Sequence, residues 1–354
     1  MPGVSCGDVT MAGMDARRVV ADRVRTQADA CSRLGSPLYA GLLERTALDV
    51  QAGGPTWQVL EPFADWPGES VFVLRFMGAV NRLVLSDAAP ALAPQFTTGG
   101  DPELAWPAFR ALIEERTDVL RTLALSRPVQ TNEVGRCAAL APAILWVSAG
   151  MPVRLLELGA SAGLNLRWDA YRYEDAWGDP RSPVQLVDRY EGTRPPFKPP
   201  EVEIVERRGC DVAPVDPSSD EGRLTLSSFV WPDQPERLAL LRGALAVAQR
   251  VPAVVDAAGA DEWLVRVLAE PRPACATVVF QSIVWQYIQT AQRERIAETM
   301  AQAGARADSA TPLAWLRMEP DGAATALRAT VWPGERTRLL AHAGYHGRPV
   351  TWIG

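Results

Sequence analysis

The segment Arg154–Leu166 (RLLELGASAGLNL) constrains the fold of this chain more than any other. Its first part, Arg154–Leu158, predicts a buried β-strand, and Gly159 and Gly163 follow before the next apolar residues. Because glycine adopts positive φ angles without steric cost, Gly159 predicts a sharp turn off the strand. A strand, a glycine turn and a helix in this order are typical of an α/β domain with a parallel sheet.

The pattern continues in this way from residue 151 to residue 354. Short β-rich runs alternate with helical runs there, which predicts crossover helices between parallel strands. The predicted strands are Arg154–Leu158, Glu203–Arg207, Ala253–Asp256, Thr277–Phe280, Leu313–Met318, Thr325–Trp332 and Val350–Ile353. The predicted helices are Leu164–Tyr171, Gln234–Arg250, Asp261–Leu268 and Ala291–Ala303. We expect a mostly parallel sheet that closes with an antiparallel set, its last strand antiparallel, and a β-hairpin inserted at about residues 171–200.

The first part of the chain, residues 1–150, predicts an all-α domain. Apolar residues recur there at three- and four-residue steps, and glycine- and proline-containing turns separate the runs. The predicted helices are Ala16–Leu34, Leu38–Val50, Val71–Leu85, Pro107–Leu125 and Asn132–Ala149. We expect this helical domain to cap the strand ends of the α/β domain, because closed sites need a cover.

Composition excludes several classes of function. The net charge of −6 provides no basic surface of the kind that binds nucleic acid. No run of about 18 apolar residues and no signal peptide core occurs, so the sequence predicts a cytoplasmic protein without a membrane partner. The five cysteines form no CxxC pair and the two histidines have no cysteine or acid nearby, so we expect neither a disulfide framework nor a metal site.

Three ligand classes compete for the glycine turn. A phosphate loop requires a Gly-Lys-Ser/Thr ending, which is absent, and a dinucleotide site requires GxGxxG, whose spacing the turn does not match. The E-x-G-x-x-x-G arrangement is instead similar to the first motif of the class I methyltransferases that bind S-adenosylmethionine (SAM). An ordinary strand-to-helix turn is the alternative. The candidate ligand-binding residues of the segment are Glu157, Gly159, Ala160, Ser161, Gly163 and Asn165.

Further motifs extend this similarity over nearly the whole chain. They are QTNEVGR at 130–136, DPRSPV at 179–184, GCDVAPVD at 209–216, WPDQ at 231–234, VVFQS at 278–282 with Tyr287, WPG at 332–334 and HG at 346–347. Together they resemble a bacterial family of unknown function whose second half is similar to class I SAM-dependent methyltransferases. The resemblance implies a Rossmann-like sheet and SAM as cofactor, but no substrate. Ser161 stands where many methyltransferases have glycine, and Gln281 stands where this family has histidine.

The cofactor is expected across the carboxyl ends of the parallel strands. An acid at the end of the second strand, Asp211 or Glu206, would bind the ribose hydroxyls; we favour Asp211, and a solvated loop charge or a turn cap is the alternative. Asp256 would bind the adenine amino group, or else cap the next helix. Asn132 and Arg136 would hold the carboxylate of SAM, unless Asn132 is a helix cap and Arg136 a surface charge.

A hydroxyl substrate would need a base for methyl transfer. The candidates are His346, Tyr287, Glu319 and Asp233, of which His346 comes first because it lies in a turn between the last strands. Gln281 has no useful pKa and would only orient a substrate. His346 in such a turn also fits a purely structural role.

Aromatic residues cluster where a substrate would enter, and core packing is the alternative use for them. They are Trp168, Tyr171, Tyr173, Trp177, Trp231, Trp285 and Tyr287.

The sequence therefore predicts a SAM-dependent methyltransferase that acts on a small molecule. One alternative is a protein that binds SAM or its demethylated product (S-adenosylhomocysteine, SAH) without transferring methyl. A nicotinamide-dependent oxidoreductase and an interaction module built on the helical half are the others. The sequence leaves the oligomeric state open.

Overall fold

The computed structural model describes residues 6–66, 71–97, 99–174, 177–195 and 202–354, with side chains from residue 15 onward. Two compact units divide the chain. The first ends at Thr131 and also takes in Leu224–Leu238, whereas the second comprises Asn132–Arg223 and Ala239–Gly354. The boundary lies before the expected residue 150, because the helix before the first strand packs on the sheet of the second unit.

The first unit is helical. Its helices are α1 (Cys6–Arg33), α2 (Pro37–Gln51), α3 (Pro55–Leu60), α4 (Phe72–Leu85), α5 (Ala93–Thr97), α6 (Pro102–Glu115) and α7 (Thr117–Ser126). Ser36 caps α2 and Asp101 caps α6, and each helix begins with a proline, which suits the first helical position. The predicted helix Pro107–Leu125 is wrong as one element, since Arg116 leaves helical geometry (φ −121°, ψ 24°) and separates α6 from α7.

The second unit contains an eight-stranded sheet. Its strands are β1 (Val153–Leu158), β5 (Ile204–Asp211), β6 (Val254–Ala257), β7 (Ala276–Ser282), β8 (Leu313–Asp321), β9 (Ala324–Trp332), β10 (Arg336–Ala343) and β11 (Val350–Trp352). The α-helices that follow α7 in the described part of the chain are α8 (Cys137–Ser148), α9 (Asp220–Ser228), α10 (Pro235–Ala248), α11 (Ala260–Val267) and α12 (Thr290–Ala305). The predicted α/β class with a mostly parallel sheet is confirmed.

The sheet order β11-β10-β9-β8-β7-β1-β5-β6 locates the switch point of the parallel strands. Strands β6, β5, β1, β7 and β8 are parallel, and the chain steps outward from β1 first to one side and then to the other. The order therefore reverses between β1 and β7. In doubly wound sheets ligands bind outside the carboxyl ends of the strands at such a switch point.

The prediction that only the closing strands Thr325–Trp332 and Val350–Ile353 follow β8 is wrong in one respect. A further strand, β10, lies between them, so three antiparallel strands form the edge. A register shift between Leu339 and Ala341 breaks the alternation of buried and exposed residues, which is why the sequence pattern of β10 does not indicate a strand.

The inserted segment forms a small sheet rather than one hairpin. Strand β2 (Arg172–Tyr173) pairs antiparallel with β3 (Trp177–Gly178) and parallel with β4 (Gln185–Leu186). Only the first pair is therefore a hairpin. Residues 175, 176 and 196–200 of the predicted insert lie outside the described residues.

Helices pack on both faces of the parallel strands. On one face, Leu156 of β1 and Val279 of β7 share a core with Trp263 of α11 and Ile296 of α12. On the other face, α8 packs against β7, β8 and β9. None of the described helices is both long enough and apolar enough to cross a membrane.

Asp233 belongs to the first unit and holds the start of α2. Its Oδ1 accepts a hydrogen bond from the Ser36 hydroxyl (2.6 Å), and its Oδ2 accepts one from the Leu38 amide (3.0 Å). The carboxylate is thus engaged at a helix terminus within the helical unit, so we withdraw Asp233 as a candidate base.

This role of Asp233 predicts a loss of stability on truncation. Asp233→Ala removes the acceptor of two hydrogen bonds at the helix start, and we expect a loss of about 2 kcal/mol in the free energy of unfolding. Urea denaturation measures it. The control Asp29→Ala, on an exposed part of α1, should change stability by less than about 0.5 kcal/mol. Equal stability of the two variants would contradict the assignment.

Candidate functional site

The turn after β1 contains three residues with positive φ angles. They are Gly159 (+66°), Ser161 (+54°) and Gly163 (+65°). Ser161 thus adopts a left-handed conformation that is uncommon for residues with a side chain and easy for glycine. A Cβ atom on Gly159 would also lie 2.3 Å from Cγ2 of Val284, so residue 159 needs glycine for space as well as for conformation.

Asn132 holds this turn from the segment before α8. Its Oδ1 accepts hydrogen bonds from the amides of Ala162 (3.2 Å) and Leu164 (3.0 Å). The alternative role of Asn132 as a helix cap is wrong, because Glu133 caps the following turn and accepts the amide of Gly135 (3.2 Å).

Asp211 holds the same turn from the carboxyl end of β5. Its Oδ2 accepts the amide of Ser161 (2.9 Å), and its Oδ1 accepts the amide of Ala213 (2.9 Å). Glu206, the other acid considered for the ribose, pairs with Arg154 (2.7 Å) near the amino end of β1. Of the two acids, only Asp211 lies at the carboxyl end of β5.

The two remaining amides of the turn also donate within the protein. Ala160 donates to the Cys210 carbonyl (2.9 Å), and Gly163 donates to the Ala160 carbonyl (2.7 Å). Every amide from residue 160 to residue 164 is therefore engaged by protein acceptors. Phosphate-binding loops present free amides, and these five residues present none.

Glu157 is a buried carboxyl group near the carboxyl end of β1. It is 2% exposed, and its Oε1 accepts a long hydrogen bond (3.5 Å) from the Asn165 side chain. Its Oε2 is buried and has no hydrogen-bond partner among the described residues. Burial raises the pKa of Glu157 well above the usual range, and the nearby cations Arg167 and Arg136 oppose this shift only in part.

Arg136 ties the start of α8 to the end of β7. Its Nη1 donates to the carbonyl (2.9 Å) and the hydroxyl (3.3 Å) of Ser282, and its Nε donates to the Tyr345 carbonyl (3.0 Å). The side chain is buried, so the alternative of a surface charge is wrong. The guanidinium lies at the switch point between β1 and β7.

His346 lies in the turn that contacts this arginine segment. A Cβ atom on Gly135 would be 2.3 Å from the His346 carbonyl oxygen, so the two backbones are in close contact. The His346 residue is half-buried, whereas His342 is exposed on β10. Tyr287 follows β7 and is 47% exposed.

Gln281 and Glu319 form a polar pair at the ends of β7 and β8. Gln281 is fully buried; its Nε2 donates to Glu319 Oε1 (2.9 Å), and its Oε1 accepts the Trp315 indole (3.1 Å). Glu319 also accepts the amides of Val284 and Trp285 (both 3.3 Å), which anchors the turn after β7. Burial raises the pKa of Glu319, and the hydrogen bond from Gln281 opposes this.

Asp256 lies at the end of β6. Its Oδ2 accepts hydrogen bonds from Arg208 (2.7 Å) and from the Trp263 indole (2.6 Å), and the Arg208 hydrogen bond lowers the pKa of the carboxyl. The alternative role of Asp256 as a helix cap is wrong, since Gly259 occupies the cap position of α11.

Most aromatic residues of the insert belong to the core. Trp168, Tyr171 and Tyr173 are fully buried, and Trp177 stacks on Trp168 with ring centroids 5.3 Å apart. The Tyr171 hydroxyl donates to the Leu164 carbonyl (2.6 Å) at the glycine turn. The three buried rings are thus core-packing residues, which was the alternative to a substrate-binding role, and a substrate has no access to them.

The sequence does not indicate the turn after β7 that borders Gly159. Ile283 has a φ of +53°, which is an outlier for a β-branched residue, and Val284 lies against the glycine. The apolar sequence of this turn gives no signal of either feature. Within the described residues, no group of three or more potential ligands that could hold a metal ion occurs, and Cys31, Cys137, Cys210 and Cys275 are free and buried.

A protein-family profile matches residues 21–352, which is nearly the whole chain. The family is described as an uncharacterized protein conserved in bacteria (DUF2332). The chain belongs to this family. The match includes the glycine turn, Asn132, Asp211 and the turn with His346, and it confirms the expected bacterial family of unknown function. No curated protein and no solved structure matches the chain.

The role of Asn132 predicts how the glycine turn responds to truncation. Asn132→Ala leaves the buried amides of Ala162 and Leu164 without their acceptor, which costs about 1–3 kcal/mol for each group. We expect faster hydrogen exchange at residues 160–164, read by mass spectrometry. Glu298→Ala, on an exposed position of α12, is the control and should leave this exchange unchanged. Unchanged protection in Asn132→Ala would contradict the assignment.

Proposed function

We propose that this protein is a SAM-dependent methyltransferase that acts on a small molecule. The observation that carries the proposal is the turn after β1, where protein acceptors engage the amides of residues 160–164 and one oxygen atom of the buried Glu157 carboxyl group has no partner among the described residues. The turn lies beside a switch point, where doubly wound sheets bind nucleotides. A nucleoside ligand that has no phosphate suits such a turn.

Glu157 provides the test of fit for SAM. Its Oε2 is buried without a partner among the described residues, and such an atom costs about 1–3 kcal/mol until a donor reaches it. The ammonium group of SAM carries three donors and a positive charge, so it matches a carboxyl oxygen. The residues present therefore fit the amino-acid half of the cofactor.

The other polar residues of the edge fit the remaining groups of SAM. Asp211, at the end of β5, is assigned to the ribose hydroxyls, and Asp256, at the end of β6, to the adenine amino group. Arg136 and Asn132 are assigned to the carboxylate, because the guanidinium lies at the end of β7 beside the turn that Asn132 holds. Ala160, Ser161, Gly163 and Asn165 complete the turn.

The same geometry argues against a nicotinamide dinucleotide. A pyrophosphate needs free amides at the start of a long helix, but residues 160–164 donate theirs elsewhere and only the short 3-10 helix Asn165–Ala170 follows. The Asp211 carboxylate on the turn would also repel a phosphate.

Bound SAM would supply an activated methyl group for in-line displacement. The task of the chain is then to align a nucleophile and to exclude water. Gln281 uses both ends of its amide within the protein, so it acts by holding Glu319 rather than by moving a proton. His346 and Tyr287 remain the proposed catalytic residues, since His346 adjoins the Arg136 segment and Tyr287 is partly exposed after β7.

A second candidate is a protein that binds SAM or SAH without transferring methyl. The internal engagement of Gln281 and the helix-capping role of Asp233 favour it, because they remove two of the polar residues proposed near the reaction. Incubation with methyl-labelled SAM and pooled small metabolites distinguishes the two candidates. Transfer of label to a metabolite supports the enzyme, and SAM binding without transfer supports the second candidate.

Calorimetric titration with SAM, SAH and NAD tests the cofactor. We expect both sulfur ligands to bind and NAD not to bind. Asp211→Asn should weaken SAM binding at least about tenfold through the lost carboxylate hydrogen bonds, whereas Glu206→Gln, near the other end of the same strand, should not. Binding of NAD alone, or of none of the three ligands, would reject the proposal.

A further inference from the structure

We infer that Glu157 is protonated in the free protein and that it releases this proton to solvent when the ammonium group of SAM binds beside it. The inference rests on the proposed function and adds to it a coupling between ligand and proton. The ligand keeps its own ammonium protons. The carboxyl O–H bond of Glu157 is the one that breaks, and the resulting carboxylate pairs with the bound cation.

The geometry of the free protein favours the neutral carboxyl group. Glu157 is 2% exposed, so water does not solvate a charge there. Its single described hydrogen bond, from Asn165, is long at 3.5 Å, and Oε2 has no partner among the described residues. A buried carboxylate with so few donors is costly, and such groups take up a proton instead.

The surrounding groups do not reverse this balance. Asp211 raises the pKa of Glu157, while Arg167 and Arg136 lower it, and burial outweighs both cations. Arg136 donates hydrogen bonds from Nε and Nη1 to the carbonyls of Tyr345 and Ser282. Arg167 donates hydrogen bonds to the carbonyls of Val251, Ala162 and Gly163. The titratable and charged groups that face Glu157 are Arg136, Cys137, Arg167, Tyr171, Cys210 and Asp211.

Cys137, Tyr171 and Cys210 are neutral, since burial raises the pKa of each group. They therefore neither stabilise nor repel a charge on Glu157. A ligand ammonium group supplies what the free site lacks. It would supply hydrogen-bond donors to Oε2 and a positive charge, and an adjacent opposite charge stabilises the ionised carboxylate. Binding therefore lowers the pKa of Glu157 and expels its proton.

The coupling has a defined direction with pH. Below the pKa of Glu157 in the free protein, each binding event must remove a proton, so SAM affinity should rise about tenfold for each unit of increasing pH. The rise should end at that pKa or, at the latest, near about pH 8, where the ligand ammonium group loses its own proton. Glu157→Gln, which cannot ionise, should bind SAM more weakly and without this rise.

The experiment is calorimetry in two buffers of different ionisation enthalpy, at about pH 6.5, where the ligand ammonium with its pKa of about 7.7–8 is already protonated. We expect SAM and SAH each to release up to about one proton, and 5′-methylthioadenosine, which lacks the amino-acid half, to release none. These three titrations of the unmodified chain require no variant to fold.

Two variants assign the proton. Glu157→Gln should abolish proton release, and Glu319→Gln, at the other buried carboxyl of this edge, should retain it. Release that persists in Glu157→Gln, or that disappears only in Glu319→Gln, overturns the inference while leaving SAM binding intact. SAM binding without proton release overturns it as well. Failure of SAM and SAH to bind the unmodified chain rejects the proposed function and the inference together.

Discussion

The glycine turn after β1 is held by side-chain oxygen atoms that accept its backbone amides. Asn132 and Asp211 accept amide protons that an open nucleotide loop would offer to phosphate, and they approach from two different segments of the chain. Asn132 and Asp211 therefore connect the segment before α8 and the end of β5 to the turn that follows β1. Arg136, close to Asn132 along the chain, adds the end of β7. Because the Asp211 carboxylate accepts the Ser161 amide, the turn presents a carboxylate where an open nucleotide loop would present a free amide.

Two buried carboxyl groups at this edge differ in what surrounds them. Glu319 accepts hydrogen bonds from a side-chain amide and two backbone amides, and these bonds hold the turn after β7 in place. Among the residues that the structure describes, Glu157 accepts one long hydrogen bond and its Oε2 has no partner. Since unsatisfied buried groups in native proteins mark strain, water or a ligand, the second carboxyl is the one that can respond to an arriving molecule.

The sequence predicts those parts of the structure that local patterns encode. Apolar runs indicate the five parallel strands, because buried strands consist of consecutive apolar residues. Gly159 indicates the turn, because glycine favours a positive φ. The contacts of Asn132 join positions thirty or more residues apart, and no periodicity reports such a pair. Strand β10 escaped prediction because its bulge breaks the alternating pattern. Asp233 lies in the WPDQ motif, yet its partners Ser36 and Leu38 lie almost two hundred residues earlier, so no local pattern predicts the contact.

The inclusion of Leu224–Leu238 in the helical unit affects how the chain is made. Synthesis delivers residues up to Thr131 first, but the segment that carries Asp233 emerges only after much of the sheet unit has been translated. Domains generally fold as units during synthesis, with the first to emerge folding first. The hydrogen bonds that Asp233 accepts from Ser36 and Leu38 can therefore form only after residue 233 has been translated, so α2 lacks its carboxylate partner while residues 132–232 emerge.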